Sequence, residues 1–305
     1  MTRRLAIEIG GTKLQAAVGD PQGQIGPVRR AAVAPGSTAA DILAAVRDLA
    51  GPLARSGGIE RVGIGFGGPV DTQAGRVVRS FHVAGWDGFA LGAWAQDAFG
   101  LPAAIENDTN CGALAEARVG TGAGAPTVFY TNIGSGIGGG IVIDGQLYSR
   151  RFGAAEIGHT KLWDPAAGAY CIVEHLCSGW SINRMARQRA AAGKMAAALA
   201  LAGGDVEALS AEHIGRAAAD GDADALELVR AAAANFAVAL CNVISLLNPD
   251  RIVVGGGVSL MGEVFFAPLR AAVADGVFAP YADNYRILPA ALGENVVLVG
   301  ALMIP

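Results

Sequence analysis

Two segments of this chain share one pattern: a short run of apolar, mostly β-forming residues, a glycine-rich turn, and a second run of the same kind. The first is Leu5 to Val18, turning at Gly10-Gly11, and the second is Val128 to Ile143, turning at Gly134 to Gly140. Glycine enters left-handed backbone conformations without a Cβ clash, so each unit reads as a strand-turn-strand. Their recurrence predicts two related lobes facing each other. The 44 glycines among 305 residues are about twice the usual share of roughly 7%. They fall in tight groups beside apolar runs, which excludes low-complexity disorder and a collagen-like repeat.

The elements around these units predict an α/β protein. Leu5 to Ile9, Lys13 to Val18 and a third strand near Gly26 to Val33 form an antiparallel meander. A helix over Ala39 to Leu53, capped by Ser37 or Thr38, precedes a buried strand at Val62 to Phe66 that runs into Gly67-Gly68-Pro69. A helix at Leu91 to Phe99 and a strand at Pro102 to Ile105 follow, then an alanine-rich helix over Asn110 to Arg118. The second half repeats the order: a strand at Thr127 to Ile133, a glycine turn over Gly134 to Gly140, and a returning strand at Ile141 to Ile143 closed by Asp144-Gly145. Helices over Gly179 to Ala200 and Ala223 to Leu247 precede a strand at Arg251 to Val254 and the triplet Gly255-Gly256-Gly257.

Composition removes several functional classes. Apolar residues make up 52% and charged residues 16%, against about 25% charged in an average domain, so the core is large. The length fits two domains or one large α/β domain, two being expected. With 23 basic and 27 acidic side chains, and Arg3-Arg4 and Arg150-Arg151 only as pairs, there is no electrostatic footprint for nucleic acid. Mean hydropathy is +0.39, and the most membrane-like stretch is Ala231 to Leu247. It contains Asn235, Asn242 and Ser245 and ends at Asn248-Pro249-Asp250, so it reads as a buried helix and no membrane partner is expected. The start of the chain has no signal-peptide core, and Cys111, Cys171, Cys177 and Cys241 include no closely spaced pair. Both features predict a cytoplasmic protein.

Several segments carry chemistry. Gly10-Gly11-Thr12-Lys13 is either a plain hairpin or a phosphate loop, and Glu8 just before it is placed for a Mg²⁺ ion beside a phosphate. Gly134-Ser135-Gly136-Ile137-Gly138-Gly139-Gly140 precedes a strand, so it is not a dinucleotide fingerprint. Its backbone N–H groups suit an anion. Gly255 to Gly257 would let a nucleotide approach the backbone. Asn107-Asp108 either caps the helix after it or meets a ligand at a strand end. Glu156 and His159, three residues apart, and Glu174 suit hydrogen bonding to vicinal hydroxyls, hence a sugar. Cys171, His175 and Cys177 lack the close cysteine pair of a zinc site.

Taken together these segments resemble the ROK family of repressors, open reading frames and sugar kinases, within the actin-like ATPase superfamily. The resemblance covers nearly the whole chain. It rests on Ile7 to Lys13, Gly63 to Asp71, Glu106 to Asn110 with Ala115-Glu116, Gly134 to Gly140, Glu156 to His159, Glu174 with Ser178-Gly179, and Asn248 to Gly257. It implies a two-lobed, ribonuclease H-like α/β fold with a mixed sheet and helices in each lobe. The implied division is a smaller N-terminal domain over residues 1–118, completed by 291–305, and a larger domain over 119–290.

The resemblance also implies an ATP-dependent sugar kinase, with glucose 6-OH as the first expected acceptor and other hexoses or amino sugars as alternatives. In that family Asp108 would accept the hydroxyl proton. Gly67, Gly68, His82, Asn107, Asp108, Glu156, His159 and Glu174 would hold the sugar. Gly10, Gly11, Thr12, Lys13, Gly134, Ser135, Gly136, Gly138 and Gly139 would hold the phosphates of ATP, and Gly255, Gly256 and Gly257 its nucleoside. Glu8 would hold Mg²⁺ through water, and a homodimer is implied.

Three positions depart from the family pattern. Glu8 stands where the family has Asp, carrying the carboxylate roughly 1.5 Å further. The cysteine-rich zinc site is reduced to His159 and Cys171, so no structural zinc is expected. His82 stands near a position where the family places Asn. Two competing readings remain: a sugar-responsive regulator, whose branch carries an N-terminal helix-turn-helix where this chain has four residues before its first strand, and a catalytically silent sugar sensor.

Overall fold

The computed structural model describes residues 2–80, 83–148 and 151–305. Strands β1 (Arg3–Ile9), β2 (Lys13–Gly19) and β3 (Arg29–Ala32) form the expected meander, although β3 is shorter than the sequence suggests. Near Gly26 the chain makes only an isolated antiparallel bridge of Ile25 with Gly19, with Gly26 N donating to Val18 O at 2.9 Å. Helix α1 (Ala39–Ala54) starts on a capping box: the Thr38 hydroxyl accepts from Asp41 N, and the Asp41 carboxylate accepts from Thr38 N. Thr38, not Ser37, is therefore the cap. Strand β4 (Ile59–Phe66), the short strands β5 (Val70–Asp71) and β6 (Arg76–Val77), helix α2 (Leu91–Phe99), strand β7 (Ala103–Asn107) and helix α3 (Asp108–Val119) follow.

The first sheet has the order β3-β2-β1-β4-β7. β1, β4 and β7 are mutually parallel and β1 is antiparallel to β2. Alternation assigns its two faces. Leu5, Ile7 and Ile9 pack with Val46 of α1 and Leu91 of α2, while Ala6 packs with Cys111 of α3 and with the C-terminal residues Leu298, Ala301 and Leu302.

The chain then forms β8 (Thr127–Ile133), β9 (Ile137–Ile143) and β10 (Gln146–Leu147), a hairpin of β11 (Lys161–Asp164) and β12 (Ala169–Ile172), and helices α4 (Glu174–Cys177), α5 (Gly179–Ala191), α6 (Ala196–Leu201), α7 (Ala211–Ala219) and α8 (Ala223–Leu247). It ends with β13 (Arg251–Gly255), α9 (Glu263–Gly276), β14 (Arg286–Pro289) and α10 (Val296–Met303). The second sheet has the order β10-β9-β8-β13-β14, with β8, β13 and β14 parallel. This is the α/β class that the sequence predicts.

Two further elements, in the second half, differ from expectation. The helix expected over Gly179 to Ala200 is two helices, broken where Gly193 takes φ +80° and Met195 takes φ +62°. The glycine turn expected over Gly134 to Gly140 is confined to 134–136, because β9 begins at Ile137. Helix α8 is long and apolar enough to cross a membrane by length and composition alone, yet half of its most apolar window is buried. Asn248, in the left-handed region at φ +46°, ends it and donates its N–H to Ile244 O.

Contacts divide the chain into two compact units: Met1–Gly124 with Gly140–Ala154 and Ala291–Pro305, and Ala125–Gly139 with Ala155–Ala290. The domain division expected from the sequence differs at 119–124 and at 140–154, which lie in the first unit. Residues 140–154 join it because Gly140 lies against α3, where a Cβ would sit 2.6 Å from that of Ala113. In the first unit α10 lies directly on the sheet. A Cβ at Gly63 would collide with the Ala301 carbonyl, and one at Gly300 with the Cys111 carbonyl. Part of the glycine excess therefore serves helix packing.

Candidate functional site

In the first unit the motif residues gather at the carboxyl ends of the parallel strands β1, β4 and β7, the position where open α/β sheets meet ligands. β1 delivers Glu8 and the Gly10-Gly11 turn, β4 delivers Gly67-Gly68, and β7 runs into Asn107-Asp108. A Cβ on Gly67 would lie 3.5 Å from both Asp108 Oδ2 and Gly10 Cα, so three segments distant in sequence meet here. Gly67 N donates to Ile9 O at 2.9 Å, and Asn107 Nδ2 donates to Gly68 O at 3.1 Å.

Asn107 caps α3: its Oδ1 accepts from Thr109 N at 2.9 Å and from Asn110 N at 3.1 Å. Helix α3 starts two residues earlier than expected, and Asp108 is its first residue, not its cap. Asp108 is half-buried, and its Oδ1 accepts from Thr109 N at 2.7 Å. Asn107 spends its oxygen on the cap and one N–H on Gly68, which leaves it a single N–H for a ligand.

Glu8 is buried. Its Oε2 accepts from Gln15 Nε2 at 2.7 Å and its Oε1 lies 3.6 Å from Lys13 Nζ. Burial pushes its carboxyl above the ordinary range; the Lys13 charge and the Gln15 hydrogen bond pull it back, while the Asp108 charge adds to the rise. The turn itself is open. Gly11 and Thr12 are exposed, and Gly10 N closes the turn on Lys13 O at 3.1 Å. Mg²⁺ takes oxygen donors, with one or two carboxylates sufficing beside phosphate oxygens. Glu8 and Asp108, close enough for their charges to interact, fit that requirement.

The second unit gathers its own set at the ends of β8 and β13. Gly134 to Gly136 form the turn, and Gly256 adopts φ +86° with its backbone against Ile133. Gly257 is open on its Cβ side. Glu174 Oε2 accepts from Ile137 N at 2.8 Å, and a Cβ on Gly136 would lie 2.6 Å from that oxygen. Gly179 N, at the start of α5, donates to Gly134 O at 2.7 Å. Of the expected phosphate-loop residues, Gly138 and Gly139 lie in β9. Gly138 N donates to Asn132 Oδ1 at 3.0 Å, and a Cβ on Gly139 would collide with the Ala155 carbonyl. Packing accounts for Gly139, whereas Ser135 and Gly136 keep N–H groups that meet no acceptor among the described residues.

His159 Nδ1 lies 3.7 Å from Glu156 Oε2, so the two residues expected to share a site do come together, with both side chains mostly solvated. Ala155, just before Glu156, is held at φ +66°, which few non-glycine residues adopt. The expected residue His82 lies outside the described residues. The donor set does not fit a structural zinc. Cys177 Sγ donates to Val173 O at 3.1 Å, and no three His, Cys, Asp or Glu side chains converge among the described residues.

The model of the ROK family matches residues 4–305. The chain belongs to the ROK family. It is 32% identical to a glucokinase of Streptomyces coelicolor over 97% of this chain and 95% of that protein. A crystal structure of a ROK family glucokinase from Streptomyces griseus, in complex with glucose and AMPPNP, superposes with a TM-score of 0.86 at 34% identity, covering 98% of each chain. A xylose repressor of Caldicellulosiruptor bescii is 26% identical over 80% of this chain and 62% of that protein. The actin-like ATPase fold of the ROK kinases is thus the fold of this chain.

Sequence reasoning missed Gln15, Arg30 and the pairing of Asp71 with Arg151, whose Nε donates to Asp71 Oδ2 at 2.8 Å. A signal existed for Gln15: it is polar at the centre of an apolar strand. Arg151 and Asp71 are 80 residues apart and carry no such signal.

Proposed function

We propose that this chain transfers the γ-phosphoryl group of ATP to a hexose hydroxyl, with glucose 6-OH as the acceptor. The observation that carries the reading is the meeting of Asp108, Gly67 and Gly10 at the ends of three parallel strands, with Asn107 rather than Asp108 capping the helix. In this scheme the sugar hydroxyl oxygen bonds to the γ-phosphorus, the bond to the β–γ bridging oxygen breaks, and the hydroxyl proton passes to the Asp108 carboxylate.

Gly67, Gly68 and Asn107 orient the sugar, and Glu156, His159 and Glu174 are assigned to sugar binding from the family pattern. His82 is assigned to the sugar from the family pattern alone. Gly10 to Lys13 and Gly134 to Gly136 hold the phosphates through backbone N–H groups, Gly138 and Gly139 shape the second loop, and Gly255 to Gly257 hold the nucleoside. Mg²⁺, when bound through Glu8 with Asp108 nearby, supplies charge screening to the phosphates. Phosphoryl transfer needs mainly positioning and electrostatic stabilisation, which these groups provide. We place the enzyme in the cytoplasm as a homodimer; sedimentation at micromolar concentration checks the dimer.

The test is ADP release over glucose, mannose, fructose, N-acetylglucosamine, N-acetylmannosamine and a 3-amino sugar. Glucose is expected to give the highest kcat/KM, and Asp108→Asn to lower kcat by about 10²–10⁴-fold. Preference for another sugar overturns the glucose assignment alone. Tight sugar binding with no ADP release identifies a sensor and overturns the kinase reading.

A further inference from the structure

Glu8, Gln15 and Arg30 stand directly opposite one another across β1, β2 and β3, on one face of the first sheet. Gln15 is fully buried, and its amide is committed at both ends. Nε2 donates to Glu8 Oε2 at 2.7 Å and to the Glu294 carbonyl at 3.0 Å, while Oε1 accepts from Arg30 Nε at 2.8 Å. Arg30 is held in turn: its Nη2 donates to Asn295 Oδ1 at 3.1 Å and lies 3.9 Å from Glu294 Oε2.

A buried amide costs free energy unless its partners are supplied, and an apolar side chain would fill this strand without that requirement. The amide also has a sense. Rotated by half a turn, it would set its oxygen against the Glu8 carboxylate and its NH₂ against the Arg30 guanidinium, both repulsive. Arg30 at one end and the Glu294 carbonyl at the other therefore fix which end of Gln15 faces Glu8. The longer side chain that Glu8 has in place of the family's Asp is thereby given one fixed position, with Lys13 on its other oxygen.

Resting on the kinase reading above, we propose that Gln15, its amide oriented by Arg30, is a positioning residue that aims the Glu8 carboxylate at the phosphate end of the bound nucleotide. Neither Gln15 nor Arg30 touches a reacting atom in this scheme. Both act through Glu8.

The experiment titrates the intact protein with a fluorescent trinitrophenyl-ATP in the presence of Mg²⁺, with no sugar and no turnover required. Gln15→Leu is expected to weaken binding about tenfold, the loss of one charge-assisted hydrogen bond. Arg30→Ala is expected to weaken it less, and Arg30→Lys to recover part of the loss. Hexose binding, followed by tryptophan fluorescence, stays within twofold of wild type. In a Glu8→Ala background, Gln15→Leu should have no further effect. Equal losses in both backgrounds, or unchanged affinity in both Gln15→Leu and Arg30→Ala, would overturn the proposal. Arg30 is half-exposed, so its variants keep the test decisive if Gln15→Leu fails to fold. If the wild-type protein binds no nucleotide, the kinase reading itself falls.

Discussion

The Glu116 carboxylate accepts the backbone N–H of Ala291, 175 positions later in the chain, at 2.8 Å. The same oxygen accepts from Leu292 N at 2.8 Å, and the other accepts from Thr121 N at 2.9 Å. Glu116 is wholly buried, so helix α3 holds the start of the C-terminal segment through an acceptor that water cannot replace. Glu116→Ala leaves these donors without a partner and should cost about 3 kcal/mol. Glu116→Gln keeps one accepting oxygen and should cost less. Denaturant midpoints measure both, and equal midpoints for Glu116→Ala and wild type would refute the clamp.

Asn107 joins the helix cap to the Gly68 loop, and two variants separate those tasks. Asn107→Asp keeps a capping oxygen but loses the N–H on Gly68 O. Asn107→Ala loses both and should cost about 1 kcal/mol in cap stability. We expect Asn107→Asp to melt near wild type while its KM for sugar rises, and Asn107→Ala to fall in both. A wild-type KM in Asn107→Asp would show that the loop tether has no bearing on substrate.

Ala155 occupies the left-handed region at φ +66° immediately before Glu156. Alanine pays roughly 1 kcal/mol there that glycine avoids, partly offset by the greater freedom of glycine in the unfolded chain. Ala155→Gly should therefore melt at the same temperature or a few degrees higher. A clear drop in melting temperature would mean that the methyl group packs favourably enough to outweigh the strain.

Burial pushes the Glu106 carboxyl above its usual 4.5, against the opposing hydrogen bonds from Asn110 Nδ2 and Asn107 N. The folded state then holds more protons than the unfolded state between 4.5 and the raised value. Stability contributed by this group consequently falls as pH rises through that window. Glu106→Gln keeps an accepting oxygen for both donors and removes the titration. Its unfolding free energy minus that of wild type should grow as pH rises through the window and level off above it. A difference that stays flat from pH 4 to 8 would rule out the buried carboxyl as its source.

Much of the fold was legible because side-chain periodicity is a local signal. The strands that end at Ile9, Phe66 and Ile133 and the helix Leu91–Phe99 follow from apolar spacing and turn residues alone. The proximity of Glu156 and His159 was legible for the same reason: three residues of separation already bring them to one side of a turn.

Glycine marked the limit. From the sequence, Gly10, Gly67, Gly136, Gly139, Gly63 and Gly300 look alike, since each simply lacks a side chain. The tertiary structure separates them by what a Cβ would meet: the Ala155 carbonyl at Gly139, Ala301 at Gly63 and Cys111 at Gly300, but nothing within 4 Å at Gly11 or Gly257. The sequence by itself determined the α/β class, the family and the order of its motifs, because these depend on residue types at short spacing. Which glycines are packing and which are exposed, that Asn107 and not Asp108 caps α3, and that Arg30 reaches Glu8 through Gln15 were decided only in three dimensions. The packed glycines meet atoms from distant parts of the chain and the Gln15 relay follows from the pairing of β1, β2 and β3, while the cap turns on the residue at which the backbone leaves the strand, and residue types alone specify none of these.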